Sequence, residues 1–157
     1  MPPAFCVRRK ALPCGPKTMS DRAMPSEAGQ GLPPHYPFQQ LIGFRKLEMT
    51  LGYARFALEM RDDLLNLVGI PHGGVHALLL DAALGSAGCF VAEGVPSRRA
   101  VTLNLNVSYL AVPRGAMLIA EGRRVGGGRK VFFSEGVVRD DTGLDLARAS
   151  GTFRYID

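Results

Sequence analysis

PHGGVHALLLDAALGSAGCFV, residues 71–91, decides the fold. From Gly74 to Val91 the run contains no proline and is rich in alanine and leucine, so it reads as a helix. It is apolar on nearly every side, which predicts a helix buried in a core and not laid on a surface. It makes a poor membrane span, because it is Ala- and Gly-rich and Asp81 interrupts it. Residues 61–73 before it read as a loop punctuated by Asn66, Gly69 and Pro71. Further upstream Leu47, Met49, Leu51 and Tyr53 alternate with polar residues, and past Gly52 the phase shifts to Phe56, Leu58 and Met60. That pattern predicts two strands, or one strand with a bulge. Downstream, Val101, Leu103, Leu105, Val107 and Tyr109 alternate with Thr102, Asn104, Asn106 and Ser108. Strands are also expected at Met117–Val125, Val131–Val138 and Leu144–Tyr155, separated by the turn sequences Gly126-Gly127-Gly128 and Asp140-Asp141-Thr142-Gly143. With no second helix to cover a sheet, the sheet has to wrap the one helix. The expected architecture is α+β: one long central helix wrapped by a curved antiparallel β-sheet of five to six strands.

The 157 residues suffice for one domain with a real core and are too few for two ordinary ones. Eight of the 11 prolines lie in residues 1–37, so that segment reads as a flexible tail and 38–157 as the domain. The tail has no apolar stretch of signal-peptide length, and its prolines oppose the amphipathic helix of an organelle presequence. A true start at Met19 or Met24 explains it more simply. The net charge of +5 is diffuse. Five basic residues against Asp21 and Glu27 place +3 of it in the tail, which leaves +2 dispersed over the domain. That distribution is no nucleic-acid footprint. Cys6, Cys14 and Cys89 form neither a disulfide framework nor a zinc spacing, in keeping with a reducing, cytoplasmic location.

Between Asp63 and Glu93 the only formal charge is Asp81, in the middle of the apolar helix. A carboxylate there either bonds a neighbouring backbone group or opens onto solvent, or it is retained for chemistry. Gly73 and Gly74 at the helix start either make a tight turn or expose N–H groups suited to an oxygen that becomes negative during acyl transfer. Gly74 and Asp81 are seven residues apart, about 10 Å along the helix axis, too far to act on one carbonyl. A twofold dimer with antiparallel helices would set Gly73 beside Asp81 of the partner subunit.

Asn66, His72-Gly73-Gly74, Asp81 and the Thr102–Tyr109 strand together resemble the hotdog-fold acyl-CoA thioesterases, specifically the phenylacetate-degradation (PaaI-like) branch, over about residues 38–157. In that family an Asn precedes a His-Gly-Gly start of the central helix and an acidic residue follows along it. The resemblance implies hydrolysis of an aromatic or medium-chain acyl-CoA, with Asp81 as general base or nucleophile. It implies that the Gly73 N–H and the Asn66 side chain polarise the thioester carbonyl, that His72 shapes the site, and that Thr102 orients the water. Thr102 is equally well read as an ordinary polar-face strand residue. Gly74, Arg123 and Arg129 are the substrate-binding candidates, the arginines meeting CoA phosphates along with Arg124 and Lys130; solvated hairpin charges are the other reading. No cofactor or metal is implied, nor a nucleic-acid or membrane partner, and the expected assembly is a homodimer or homotetramer with the site at the subunit interface.

Other chemistries fit less well. His72 and His76 have helical metal spacing without the glutamate that should follow the first histidine. Ser86 lies in Gly85-Ser86-Ala87-Gly88 and forms no nucleophile elbow. Two rivals stay open: a hotdog enoyl-CoA hydratase or dehydratase, and a non-catalytic acyl-CoA-binding protein, since fold alone does not prove function.

Overall fold

The structure is a computed structural model and describes residues 36–156. The tail expected over 1–37 therefore lies outside the described residues, apart from Tyr36 and Pro37, as do Met19, Met24, Cys6 and Cys14. The elements run α1 (Pro37–Ile42), β1 (Arg45–Thr50), β2 (Tyr53–Glu59), a 3₁₀ turn (Asp62–Leu64), α2 (Gly73–Ala87), β3 (Ala100–Tyr109), β4 (Met117–Gly127), β5 (Val131–Asp140) and β6 (Asp145–Tyr155). One antiparallel sheet carries all six strands in the order β1-β2-β4-β5-β6-β3. α2 touches each of them, so the sheet wraps the helix as expected, and its edges β1 and β3 flank the side left open.

Leu79, Leu80 and Leu84 of α2 are fully buried against Leu118, Phe132, Val138, Leu146 and Phe153 of the sheet. Phe132 stacks on Phe153 with ring centroids 5.1 Å apart. The helix ends at Ala87, four residues short of the expected Val91. The Phe132 ring occupies the space a Cβ at Gly88 would need, and the Tyr155 hydroxyl donates to the Gly88 carbonyl at 2.7 Å, so the chain turns away there. On the sheet, Gly122 lets the Ala83 backbone of α2 come closer than any side chain would permit. α2 is not buried all round: Asp81, Ala82, Gly85 and Ser86 form a half-buried face toward the gap between the sheet edges.

The phase shift past Gly52 marks two strands, the first of the two alternatives, and the bulge in this segment lies elsewhere, at Leu47. β1 and β2 form a hairpin across Leu51 and Gly52, the latter at φ 76°, and β1 also has a register shift between Lys46 and Glu48. A second shift falls between Thr102 and Asn104 of β3. Each inserts one residue, Leu47 or Leu103, and so changes which side chains face α2. The short α1 is not foreseen from sequence. Pro37 opens it and Gly43, at φ 85°, closes it, while Tyr36 sets its ring edge-on against Phe44.

Candidate active site

Asp81 is half-buried, and its Oδ1 accepts a 2.6 Å hydrogen bond from Thr102 Oγ1. A bond this short fixes the orientation of the carboxyl group. The bulge at Leu103 makes it possible. In an unbroken strand Thr102 would share a face with Asn104 and Asn106, opposite Leu105 and Val107. With one extra residue inserted, Thr102 reaches Asp81 while Leu105 and Val107 pack on the core. Asp81 and Thr102 line a cavity of ≈ 260 Å³ in the gap between β1 and β3, with Lys46, Met49, Ala82 and Phe153 also in its walls. Tyr36, just before α1, lies near enough to feel the carboxylate: burial pushes its phenol up and the Asp81 charge adds to the effect.

The second group of expected residues gathers at the start of α2. His72 is the N-cap, and its Nδ1 accepts from the Gly74 N–H at 3.0 Å. Gly74's amide is thereby occupied, whereas the Gly73 N–H has no acceptor among the described residues. The Tyr109 hydroxyl donates to the Gly73 carbonyl at 3.1 Å, and a Cβ at Gly73 would lie 3.3 Å from the Tyr109 ring. Asn66 Oδ1 accepts from the Val68 and Ile70 amides at 3.0 and 3.4 Å, which shapes the loop into the helix and leaves Nδ2 uncommitted among the described residues. None of Asn66, His72, Gly73 and Gly74 lines the Asp81 cavity. Gly73 and Asp81 stand eight residues apart on one straight helix, about 12 Å along its axis. Within a single chain the two groups of expected residues thus stay apart.

Arg123 lies on the sheet face turned away from α2, its guanidinium 4.6 Å from the centroid of the Tyr53 ring. Arg129, exposed beyond β4, accepts through its carbonyl a 3.2 Å hydrogen bond from Arg98, which lines the Asp81 cavity. Neither Arg123 nor Arg129 enters that cavity. Sequence reasoning did not single out Lys46, Tyr36 or Tyr109 as site neighbours. The first lies beside a bulge, the second at the edge of the proline-rich segment, and the third meets Gly73 only through the fold. His76 is only 5 % exposed, and neither ring nitrogen has a hydrogen-bond partner. Burial pushes its imidazole down, the nearby His72 backbone opposing this without closing a hydrogen bond.

One long helix wrapped by a single six-stranded antiparallel sheet defines the hotdog class. The chain belongs to the thioesterase superfamily, whose sequence profile matches residues 68–147, more than half its length, and the family places it among thioester hydrolases. It is similar to the conserved protein PA5202 of Pseudomonas aeruginosa, at 27% identity and a TM-score of 0.70, covering 78% of this chain and 95% of that one. Similar too is BH2602 of Bacillus halodurans, whose structure was determined with CoA (27% identity, TM-score 0.67, 78% and 80% covered). A variant of the phenylacetic acid degradation protein PaaI of Thermus thermophilus matches at 28% identity and a TM-score of 0.64, over 76% and 98% of the two chains.

Proposed function

We propose that this protein hydrolyses the thioester of an aromatic or medium-chain acyl-CoA to the free acid and CoA, with Asp81 as general base or nucleophile. The observation that carries this reading is the Thr102–Asp81 hydrogen bond at the wall of a cavity of acyl-group size. With one oxygen held by Thr102, the other is available to the reaction. As a base it takes a proton from water while the water oxygen bonds to the thioester carbon; as a nucleophile it forms an acyl anhydride that water then opens. On either route the tetrahedral oxyanion needs donors, and the unoccupied Gly73 N–H with the Asn66 amide supplies them. Collapse breaks the carbon–sulfur bond and releases CoA as its thiolate.

The separation of about 12 Å between the two groups is met by a homodimer in which Gly73 faces Asp81 of the partner subunit, the dimer either standing alone or as half of a tetramer. β3 suits such an interface, being an edge strand with Val101 and Leu103 exposed. The CoA-containing relative supports a CoA ester as substrate. Arg129 and Arg123, both outside the cavity, are assigned to the CoA phosphates, and Gly74 to the substrate at the helix start. A reducing, cytoplasmic location is part of this reading, supported by the cysteine spacing of the sequence.

The test is release of free CoA from a panel of aromatic and medium-chain acyl-CoA esters, followed with a thiol reagent and blanked for the protein's own cysteines. Turnover of some ester by the native chain, reduced about 10²–10⁴-fold in Asp81→Asn, is the expected result. Tight binding of the esters with no CoA released from any of them overturns the hydrolase reading and favours a binding protein.

A further inference from the structure

Besides Asp81 the cavity wall carries two cations: Arg98, whose guanidinium lies 3.4 Å from the Tyr155 ring centroid and donates to the Arg129 carbonyl, and Lys46, for which thioester hydrolysis has no use. Lys46 of β1 lines the cavity, turned inward because the bulge at Leu47 puts both Lys46 and Met49 on the cavity side. The ammonium is half-buried, and its hydrogen bond goes to Met49 Sδ at 3.6 Å, a weak acceptor. Among the described residues no carboxylate forms an ion pair with it, Asp81 included. An ammonium withdrawn from water without an anion is costly, and burial lowers the Lys46 pKa accordingly. Met49, Ala82, Gly85, Ala100 and Phe153 make much of the remaining wall apolar.

Volume decides which anion belongs there. At ≈ 260 Å³ the cavity falls below the roughly 300–1,000 Å³ of pockets that take drug-sized ligands, so it accommodates an acyl group and not the phosphate-bearing nucleotide of CoA. An anion that reaches Lys46 within this volume is therefore sought on the acyl group itself. We propose that Lys46 is a specificity-determining residue that selects acyl chains ending in a second carboxylate, so that the preferred substrates are CoA monothioesters of medium-chain dicarboxylic acids. This rests on the thioesterase reading above: the thioester lies at Asp81 and Thr102, the aliphatic stem crosses the apolar wall, and the distal carboxylate meets the Lys46 ammonium.

The experiment compares adipyl-, pimelyl- and suberyl-CoA with hexanoyl-, heptanoyl- and octanoyl-CoA on the native chain and on Lys46→Met, which keeps an unbranched stem and removes the charge. The kcat/KM ratio of carboxylated to neutral ester is expected to exceed one in the native chain and to fall about tenfold or more in the variant, chiefly through KM. An equal ratio in both proteins, or a native preference for the neutral esters, overturns the proposal. Calorimetry with non-hydrolysable S-(ω-carboxyalkyl)-CoA and S-alkyl-CoA thioethers separates the two readings. If no ester turns over, hydrolysis fails, yet tighter binding of the carboxylated thioether still establishes the anion site. Equal binding of the two thioethers by the native chain rejects it, a result that holds even where the variant does not fold.

Discussion

In the proposed reaction the 2.6 Å bond from Thr102 to Asp81 divides the labour between the two carboxylate oxygens. One is tied to a hydroxyl, and the other remains available to water or to the thioester carbon. Removing the hydroxyl while keeping the shape leaves the carboxylate present but unaimed, and misplacement of a reacting group by about 1 Å costs on the order of a hundredfold in rate. Thr102→Val is therefore expected to lower kcat by about that factor with little change in KM, while Thr102→Ser stays within a few-fold of the native rate. Steady-state kinetics on the best ester checks this, and a Thr102→Val variant of native activity would remove Thr102 from the machinery. The same comparison separates an aiming role from a purely structural one, since Thr102→Val should unfold at the native denaturant midpoint.

Among the described residues, the carboxylate withdrawn most completely from water is not Asp81. Asp140, at the end of β5, is 2 % exposed. Its Oδ1 accepts from the Thr142 amide and hydroxyl and the Leu144 amide, and its Oδ2 from the Arg114 and Gly115 amides, at 2.6–3.2 Å. One side chain thus closes the β5–β6 turn and ties it to the segment entering β4. The Thr142 hydroxyl and then the Arg114 amide hold its carboxyl far below the usual carboxylate range. A depressed acid stabilises the fold above its unfolded pKa, and that contribution is lost as pH falls toward the folded value. Asp140→Asn is accordingly expected to unfold at lower denaturant at pH 7, and the gap to the native chain should narrow as pH drops below about 4. Denaturant melts across that range measure it; a gap independent of pH would mean that the carboxylate charge contributes nothing.

For the whole molecule, the separation of Asp81 and Thr102 from Asn66 and Gly73 has a direct consequence. If the site forms between two chains, Asp81→Asn spoils the acidic half and Asn66→Ala the donor half. Each variant alone should be nearly inactive. Unfolded together and refolded as a mixture, they should form heterodimers in which one site keeps both halves intact. Recovery of up to about a quarter of the native activity follows from random pairing in a twofold dimer, because half the dimers are mixed and each has one working site of two. No recovery from a mixture shown by mass spectrometry to contain heterodimers would place all catalytic groups within one chain.

The fold was legible in the sequence because periodicity is a property of each segment taken alone. A proline-free apolar run reads as the buried helix, alternation reads as strands, and Gly126–Gly128 and Asp140–Gly143 read as turns. Asp81 and the glycine start stood out from the residues themselves, and helical rise converts their spacing into a distance, whereas Asn66 joined them only through the family resemblance. What escaped depends on two segments at once. The bulges at Leu47 and Leu103 are offsets between paired strands, so neither strand's own pattern announces that Lys46 and Thr102 turn inward. Asp140 reads as an ordinary turn residue until the segment before β4 folds over it and supplies its donors. The helix ends at Ala87 and not Val91 because Phe132, more than forty residues later in the chain, fills the space beside Gly88. Spacing along the chain sets local geometry, but which side chain faces the cavity is settled by strand register and by packing between residues far apart in sequence.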